Sequence, residues 1–187
     1  MRSDRILTIP NLITLARLGL LPLLLWMLAV RRYELAFWLF VAASVGDGLD
    51  GWLARRLDQR SRLGAVLDPI ADKLTILGIA WILATEGLLP VWIAALMSLR
   101  DLVIVAGALA YRQVVGTLEM APTRLSKLNT VLEFLLLALA LMLANGWIVA
   151  GPWLSPALAV VAFTIVASGA QYVWVWGKKA KDHAHRH

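Results

Sequence analysis

Asp47, Asp50, Gly51, Ala54, Arg55, Gly64, Asp68 and Asp72 combine residue types and spacings that could do chemistry. At about 100° of rotation per helical residue, Asp50, Gly51 and Ala54 fall at roughly −60°, 40° and −20° from Asp47, so two carboxylates and two small residues share one helix face. Asp68 and Asp72 stand one turn apart and share a face in the same way. Four carboxylates gathered by a helical hairpin would repel one another unless a cation lay among them. An all-oxygen set without His or Cys suits a hard ion, Mg²⁺ or Mn²⁺, rather than Zn²⁺. Gly51 and Ala54 leave a recess beside such an ion, and Arg55 offers a fork for phosphate oxygens. Ion, guanidinium and recess together fit a diphosphate substrate and displacement at phosphorus.

The segments that must position these residues belong in a bilayer. Of the 187 residues 60% are hydrophobic, with a mean hydropathy of +0.75, more than a soluble domain of this length needs for its core. Apolar runs of about the 20 residues that a crossing requires extend over Asn11–Val30, Leu35–Leu57, Ala65–Thr85, Leu89–Tyr111, Leu125–Ala144 and Pro152–Trp176. They predict an all-α integral membrane fold of six transmembrane helices in a single domain over 1–187. The breaks fall at Arg31-Arg32, Arg56 to Arg62, Glu86-Gly87, Arg112 to Arg124 and Asn145-Gly146. An even number of spans puts both termini on one side. Nearly all the loop and terminal Lys and Arg lie on that side, with only Arg31 and Arg32 opposite, so both termini are expected in the cytoplasm. Residues 1–8 could lie along the membrane surface, and 177–187 reads as a solvated basic cytoplasmic tail. The first run has no small-residue cleavage pattern and is read as a retained helix.

Other chemistry is excluded by composition. Cysteine is absent, which removes thiolate ligands, disulfides and thiol nucleophiles. The net charge of +6 is spread between apolar spans, where it sets topology and meets anionic headgroups; no soluble basic domain remains for nucleic acid. Arg56, Asp58, Arg60 and Arg62 are read as interfacial charges that pair with one another or with headgroups. Asp47, Asp50, Asp68 and Asp72 are not, because four facing acids within spans have no inexpensive structural explanation.

The run Asp47-x2-Asp50-Gly51-x2-Ala54-Arg55-x8-Gly64-x3-Asp68-x3-Asp72 resembles, at every fixed position, the signature of the CDP-alcohol phosphotransferases. Eight specified residues match by chance on the order of once in a billion starts. The resemblance covers essentially the whole chain and implies a six-helix membrane enzyme. In it, Asp47, Asp50 and Asp68 ligate a pair of Mg²⁺ or Mn²⁺ ions, and Asp72 is the general base, close to the second ion. It further implies that Gly51, Arg55 and Ser61 contact the CDP-lipid, Ala54 borders it, Gly64 allows close approach of the nucleotide, and Pro10-Asn11 touch it from the first helix. Pro10-Asn11 also reads as a helix start, and the two roles are compatible.

Acceptors within this family include glycerol 3-phosphate, phosphatidylglycerol, inositol phosphate, serine, choline and ethanolamine. The stretches Thr8 to Arg17, Leu99-Arg100-Asp101, Pro122 to Thr130 and Tyr172 to Lys179 look most like those of the CMP-forming cardiolipin synthases. Phosphatidylglycerophosphate synthases typically carry Arg-Glu on the fourth helix and Gly-Lys-x-Lys-Thr on the fifth. Arg100, Arg124 and Lys127 are candidate acceptor-binding residues, a basic set suited to a phosphate-bearing acceptor; for Arg124 and Lys127 simple topology marking is the alternative. Glu133 departs from the neutral amide that cardiolipin synthases often have. The expected partners are CDP-diacylglycerol, phosphatidylglycerol or glycerol 3-phosphate, membrane lipids and a second copy of the chain. The expected location is a bacterial inner (plasma) membrane with the site facing the cytoplasm. An ion or metabolite transporter is the reading from another class. It fits poorly, since the acids cluster at one end and no inverted repeat is visible.

Overall fold

The computed structural model describes residues 9–56, 64–115 and 123–184. The interfacial segment expected at 1–8, the basic turn around Asp58, Arg60, Ser61 and Arg62, and the last residues of the tail lie outside the described residues. Among the described residues the chain is all-helical: α1 (Ile9–Ala29), α2 (Tyr33–Arg56), α3 (Gly64–Thr85), α4 (Val91–Val115), α5 (Arg124–Ala144) and α6 (Leu154–Ala184). The apolar runs thus all become helices.

Two helices outlast their apolar runs. α4 continues through Arg112 to Val115, and α6 continues through Lys178 and Lys179 to Ala184, so most of the stretch expected as a solvated tail is helical. Apolarity decides which helix residues meet lipid, but backbone propensity decides where the helix stops. Lys, Ala, Arg and Gln are all strong helix formers.

Among the described residues, Val91–Tyr111, Arg124–Ala144 and Leu154–Lys178 are long and apolar enough to cross a membrane. α2 places Asp47, Asp50, Arg55 and Arg56 in its last ten residues, and α3 places Asp68, Asp72 and Lys73 in its first ten.

The chain divides into two compact units, residues 1–88 with 137–149, and residues 89–136 with 150–187. In the first unit α1 packs against both α2 and α3. Its core mixes large side chains, Leu24, Leu28, Phe40, Ile79 and Leu83, with Ala36, Ala43, Ala71, Ala80 and Ala84. Small residues let helix backbones approach closely where lipid supplies no hydrophobic drive. A Cβ on Gly78 would stand 3.0 Å from Leu25 Cδ2, and Arg31 Nη2 lies 2.7 Å from Glu86 Oε2. These two contacts advance in the same sense along both helices, so α1 and α3 run parallel. The short turn after α1 reverses α2.

α1, α3 and α5 end in the same way. Arg32 N donates to Met27 O and Arg31 N to Leu28 O; Leu88 N donates to Leu83 O and Gly87 N to Ala84 O; Trp147 N donates to Met142 O and Gly146 N to Leu143 O. Each is a Schellman closure that satisfies carbonyls left over at a helix end. The closure needs a left-handed residue, supplied by Gly87 (φ 74°), Gly146 (φ 70°) and, unusually, Arg31 (φ 60°).

In the second unit α4 packs along α6. Arg100 Cγ sits 3.6 Å from the Cβ position of Gly169, and a Cβ on Gly107 would overlap the Trp176 ring. Both contacts share one register, seven residues apart on each helix, so α4 and α6 run parallel. The outer faces are apolar, with Leu102, Val105, Leu109, Phe163 and Val166 all exposed, as expected of helices solvated by acyl chains.

Candidate active site

All four signature aspartates lie in the first unit. Asp47 and Asp50 are on α2, and Asp68 and Asp72 on α3. Because α1 and α3 run parallel and α2 runs back between them in sequence, the start of α1, the end of α2 and the start of α3 lie toward one end of this unit. The Arg31–Glu86 pair marks the other. Asp47 is 14 residues beyond Tyr33 and Asp72 is 13 before Thr85, so each stands about 20 Å along its helix from that opposite end. Pro10 and Asn11 occupy the first turn of α1, and Gly64 is the first residue of α3. The backbone therefore brings the signature and the start of α1 to one end of the unit.

Asp72 is half-buried, directly after buried Ala71. The side chains of Pro10, Asn11, Asp47, Asp50, Ala54, Arg55 and Asp68, with residues Gly51 and Ser61, fall outside what the structure describes. Among the described residues no group of three or more potential ligands assembles.

The second unit holds a buried polar lane. Arg100, 4% exposed, lies near the middle of the Val91–Tyr111 span. Its Nη1 donates to Asp101 Oδ1 at 2.8 Å, and its Nη2 donates to Ser126 Oγ at 2.7 Å and to Ser168 Oγ at 3.0 Å. One side chain thus ties α4 to both α5 and α6. The ion pair with Asp101 offsets a charge that would otherwise be costly at this depth. One turn beyond Ser126, Asn129 Nδ2 donates to Glu133 Oε1 at 2.7 Å, and both residues are buried. Among the described residues three buried polar atoms have no hydrogen-bond partner: Arg100 Nε, Asn129 Oδ1 and Gln171 Oε1.

The basic set expected to meet the acceptor is divided by burial. Arg100 is enclosed, whereas Arg124 and Lys127 are exposed. Taking Ser126 as the direction facing Arg100, Arg124 lies about 160° and Lys127 about 100° around α5. The structure brings Ser126 to Arg100 and leaves the other two cations on different faces. Ser126, Asn129, Ser168 and Gln171 had not been singled out from the sequence. Their signal was present as spacing: Ser126, Asn129 and Glu133 at i, i+3, i+7, and Thr164, Ser168 and Gln171 at i, i+4, i+7, each a polar stripe on an otherwise apolar helix.

Comparison with known proteins agrees with the signature. A human cardiolipin synthase (CMP-forming) is 31% identical over 188 residues, covering 92% of this chain and 62% of its own length. A Streptomyces coelicolor cardiolipin synthase (CMP-forming) is 30% identical over 187 residues, covering 92% of this chain and 80% of its own. A rice chloroplastic CDP-diacylglycerol–glycerol-3-phosphate 3-phosphatidyltransferase is 31% identical over 156 residues, covering 74% of this chain and 47% of its own. The chain thus spans less than two thirds of the human and rice relatives. The sequence model of the CDP-alcohol phosphatidyltransferases matches residues 7–174, nearly the whole helical body that carries the Asp47 to Asp72 signature, and on that ground the chain belongs to the CDP-alcohol phosphatidyltransferase family.

Proposed function

We propose that the chain transfers a phosphatidyl group from CDP-diacylglycerol to a hydroxyl of phosphatidylglycerol, giving cardiolipin and CMP. The observation that carries this is the complete signature on α2 and α3, within a chain matched over most of its length by proteins named cardiolipin synthase. The rice relative supports a second reading, in which glycerol 3-phosphate is the acceptor and phosphatidylglycerophosphate the product.

Asp47, Asp50, Asp68 and Asp72 supply only carboxylate oxygen on helix ends that gather in one unit, a donor set that fits Mg²⁺ or Mn²⁺. Two such ions, when bound, would offset the charge of the diphosphate and of the departing CMP. Gly51 and Ala54 leave space for the CDP-lipid, and Arg55 neutralises phosphate oxygen. Pro10, Asn11, Ser61 and Gly64 border the nucleotide. Asp72 accepts the proton of the acceptor hydroxyl as its oxygen attacks the lipid-side phosphorus; the bond from that phosphorus to the CMP oxygen breaks, and CMP leaves. Arg100, Arg124 and Lys127 serve the acceptor.

The same reading places six spans in the membrane, the charged ends of α2 and α3 lying at a cytoplasmic surface together with both termini. It includes a homodimer in a bacterial inner membrane. Exposed Trp26, Trp38, Trp81 and Trp147 of the first unit and Trp92 and Trp153 of the second flank the turns remote from the termini, as interfacial aromatics do.

The test supplies purified protein with CDP-diacylglycerol, Mg²⁺ or Mn²⁺, and either phosphatidylglycerol or glycerol 3-phosphate, and identifies the lipid product by mass spectrometry. Cardiolipin with stoichiometric CMP is expected. CMP release with glycerol 3-phosphate alone would select the second reading, and no CMP with either acceptor would refute both.

A further inference from the structure

The last turns of α6 carry an aromatic and cationic surface that the proposed reaction does not use. Trp174 is 68% exposed. By helical spacing Phe163, Ala170 and Lys178 lie within about 40° of Trp174 around α6, and all three are exposed. One outward stripe thus runs from apolar through aromatic to cationic. Lys178 Nζ stands 5.7 Å from the centroid of the Trp174 ring, within the range of a cation–π contact.

The opposite face of the same stretch is fixed. Tyr172 is buried, its ring centroid is 5.2 Å from that of Trp176, and Trp176 occupies the space that a Cβ on Gly107 would need. The end of α6 is therefore held against α4, and the helix continues to Ala184. Trp174 and Lys178 project from an anchored helix, so little order is lost when a ligand engages them.

Depth follows from length. Trp153, just before α6, and Trp174 are both exposed and stand 21 residues apart, about 32 Å at the helical rise and close to the thickness of a hydrocarbon core. Indole rings favour that boundary, with carbon against acyl chains and N–H toward headgroups. Lys178 lies one turn further, at the level of lipid phosphate. Beyond Trp174 the helix adds Lys178, Lys179 and Lys181 against a single acid, Asp182, so this level carries net positive charge.

We propose that Trp174 and Lys178 form a docking site for an anionic phospholipid of the surrounding bilayer, with its phosphate on the Lys178 ammonium and an acyl chain along Ala170 and Phe163. The ring shields one side of the ammonium and leaves its remaining N–H donors for phosphate oxygen. A zwitterionic headgroup offers no net charge to this basic end, whereas an anionic one does. The apolar stripe selects a lipid over free phosphate. The site rests on α6 spanning the bilayer and not on the identity of the acceptor.

Trp174 fluorescence reads the site, taken as the difference between the wild type and Trp174→Phe in phosphatidylcholine nanodiscs. A small fraction of phosphatidylserine or phosphatidylcholine with brominated acyl chains serves as quencher. Phosphatidylserine, which is not the proposed acceptor, is expected to associate about fivefold more strongly than phosphatidylcholine. Lys178→Gln, measured with and without Trp174→Phe, should bring that ratio near unity, and Lys178→Arg should keep it, with unchanged thermal unfolding in each. Inorganic phosphate should displace no more lipid than chloride at equal ionic strength. Equal quenching by the two lipids in the wild type, or a preference retained in Lys178→Gln, would leave only an interfacial anchor and overturn the proposal. Displacement by free phosphate would overturn it too, as would protection of Trp174 from both lipids, the sign of a second copy covering this face. CMP release, measured alongside, reports the proposed function separately: its absence refutes that function and leaves the lipid preference standing.

Discussion

The guanidinium of Arg31 lies 2.7 Å from the carboxylate of Glu86 and joins the ends of α1 and α3, although Arg31 holds a left-handed backbone conformation at φ 60°. The side chain of Arg31 is 71% exposed, so the pair contributes at most about 1 kcal/mol. The backbone conformation costs a non-glycine residue roughly 1–2 kcal/mol. Arg31→Gly is therefore expected to leave the unfolding midpoint in detergent unchanged or slightly raised. Arg31→Val should lower it, because a β-branched residue tolerates that conformation least. A clear loss of stability in Arg31→Gly would show that the ion pair outweighs the strain.

Gly107 meets the Trp176 ring where α4 and α6 pack in parallel. Gly107→Ala should destabilise the second unit by about 1–3 kcal/mol through overpacking. Trp176→Leu in the same chain should restore part of that, a coupling that a double-mutant cycle of thermal unfolding would measure.

Arg100→Ala would leave Asp101, Ser126 and Ser168 without their shared partner. A destabilisation of about 3–5 kcal/mol is expected from loss of the buried ion pair together with both serine hydrogen bonds. Ser168→Ala removes a single hydroxyl and should cost about 1 kcal/mol. Comparable losses in the two variants would argue against a shared hub.

On the proposed function, chelation of divalent metal should abolish transfer, because four aspartates sharing one site need their charge offset. Asp47→Asn, Asp50→Asn or Asp68→Asn should raise the metal concentration needed for half-maximal rate. Full activity in excess chelator would remove metal from the scheme.

Asp72→Asn should keep CDP-lipid binding and lose transfer by roughly two to four orders of magnitude, the span of a general base. Equilibrium binding of the CDP-lipid beside single-turnover CMP release separates the two effects. Loss of CDP-lipid binding would instead place Asp72 in donor recognition.

The helices were legible because apolar runs of about 20 residues leave the backbone few alternatives in a bilayer, and their turns were marked by Glu86-Gly87 and Asn145-Gly146. Helix ends were legible only where a glycine stood ready to adopt the left-handed closure. At Arg112 and Lys178 the apolar run ends but the helix does not, because neither residue disfavours a helix. The placement of the signature aspartates was readable from spacing, since each pair lies within about one turn of a single helix. The Arg100 lane was not, because its partners, Ser126 and Ser168, lie 26 and 68 residues away, and short polar side chains in a span carry meaning only once their neighbours on other helices are known.

The position of Arg100 also bears on how the protein reaches its membrane. An arginine at mid-span costs about 2.5–3.5 kcal/mol on insertion, and α4 by itself offers it only Asp101. The serines that complete its shell arrive later in synthesis, on α5 and then on α6. α4 is thus a reluctant span when it first emerges and a settled one only after the last helix has entered. A chain truncated after α5 should be held poorly in the bilayer and cleared by membrane proteolysis, so that completion of α6 acts as a quality check on the second unit.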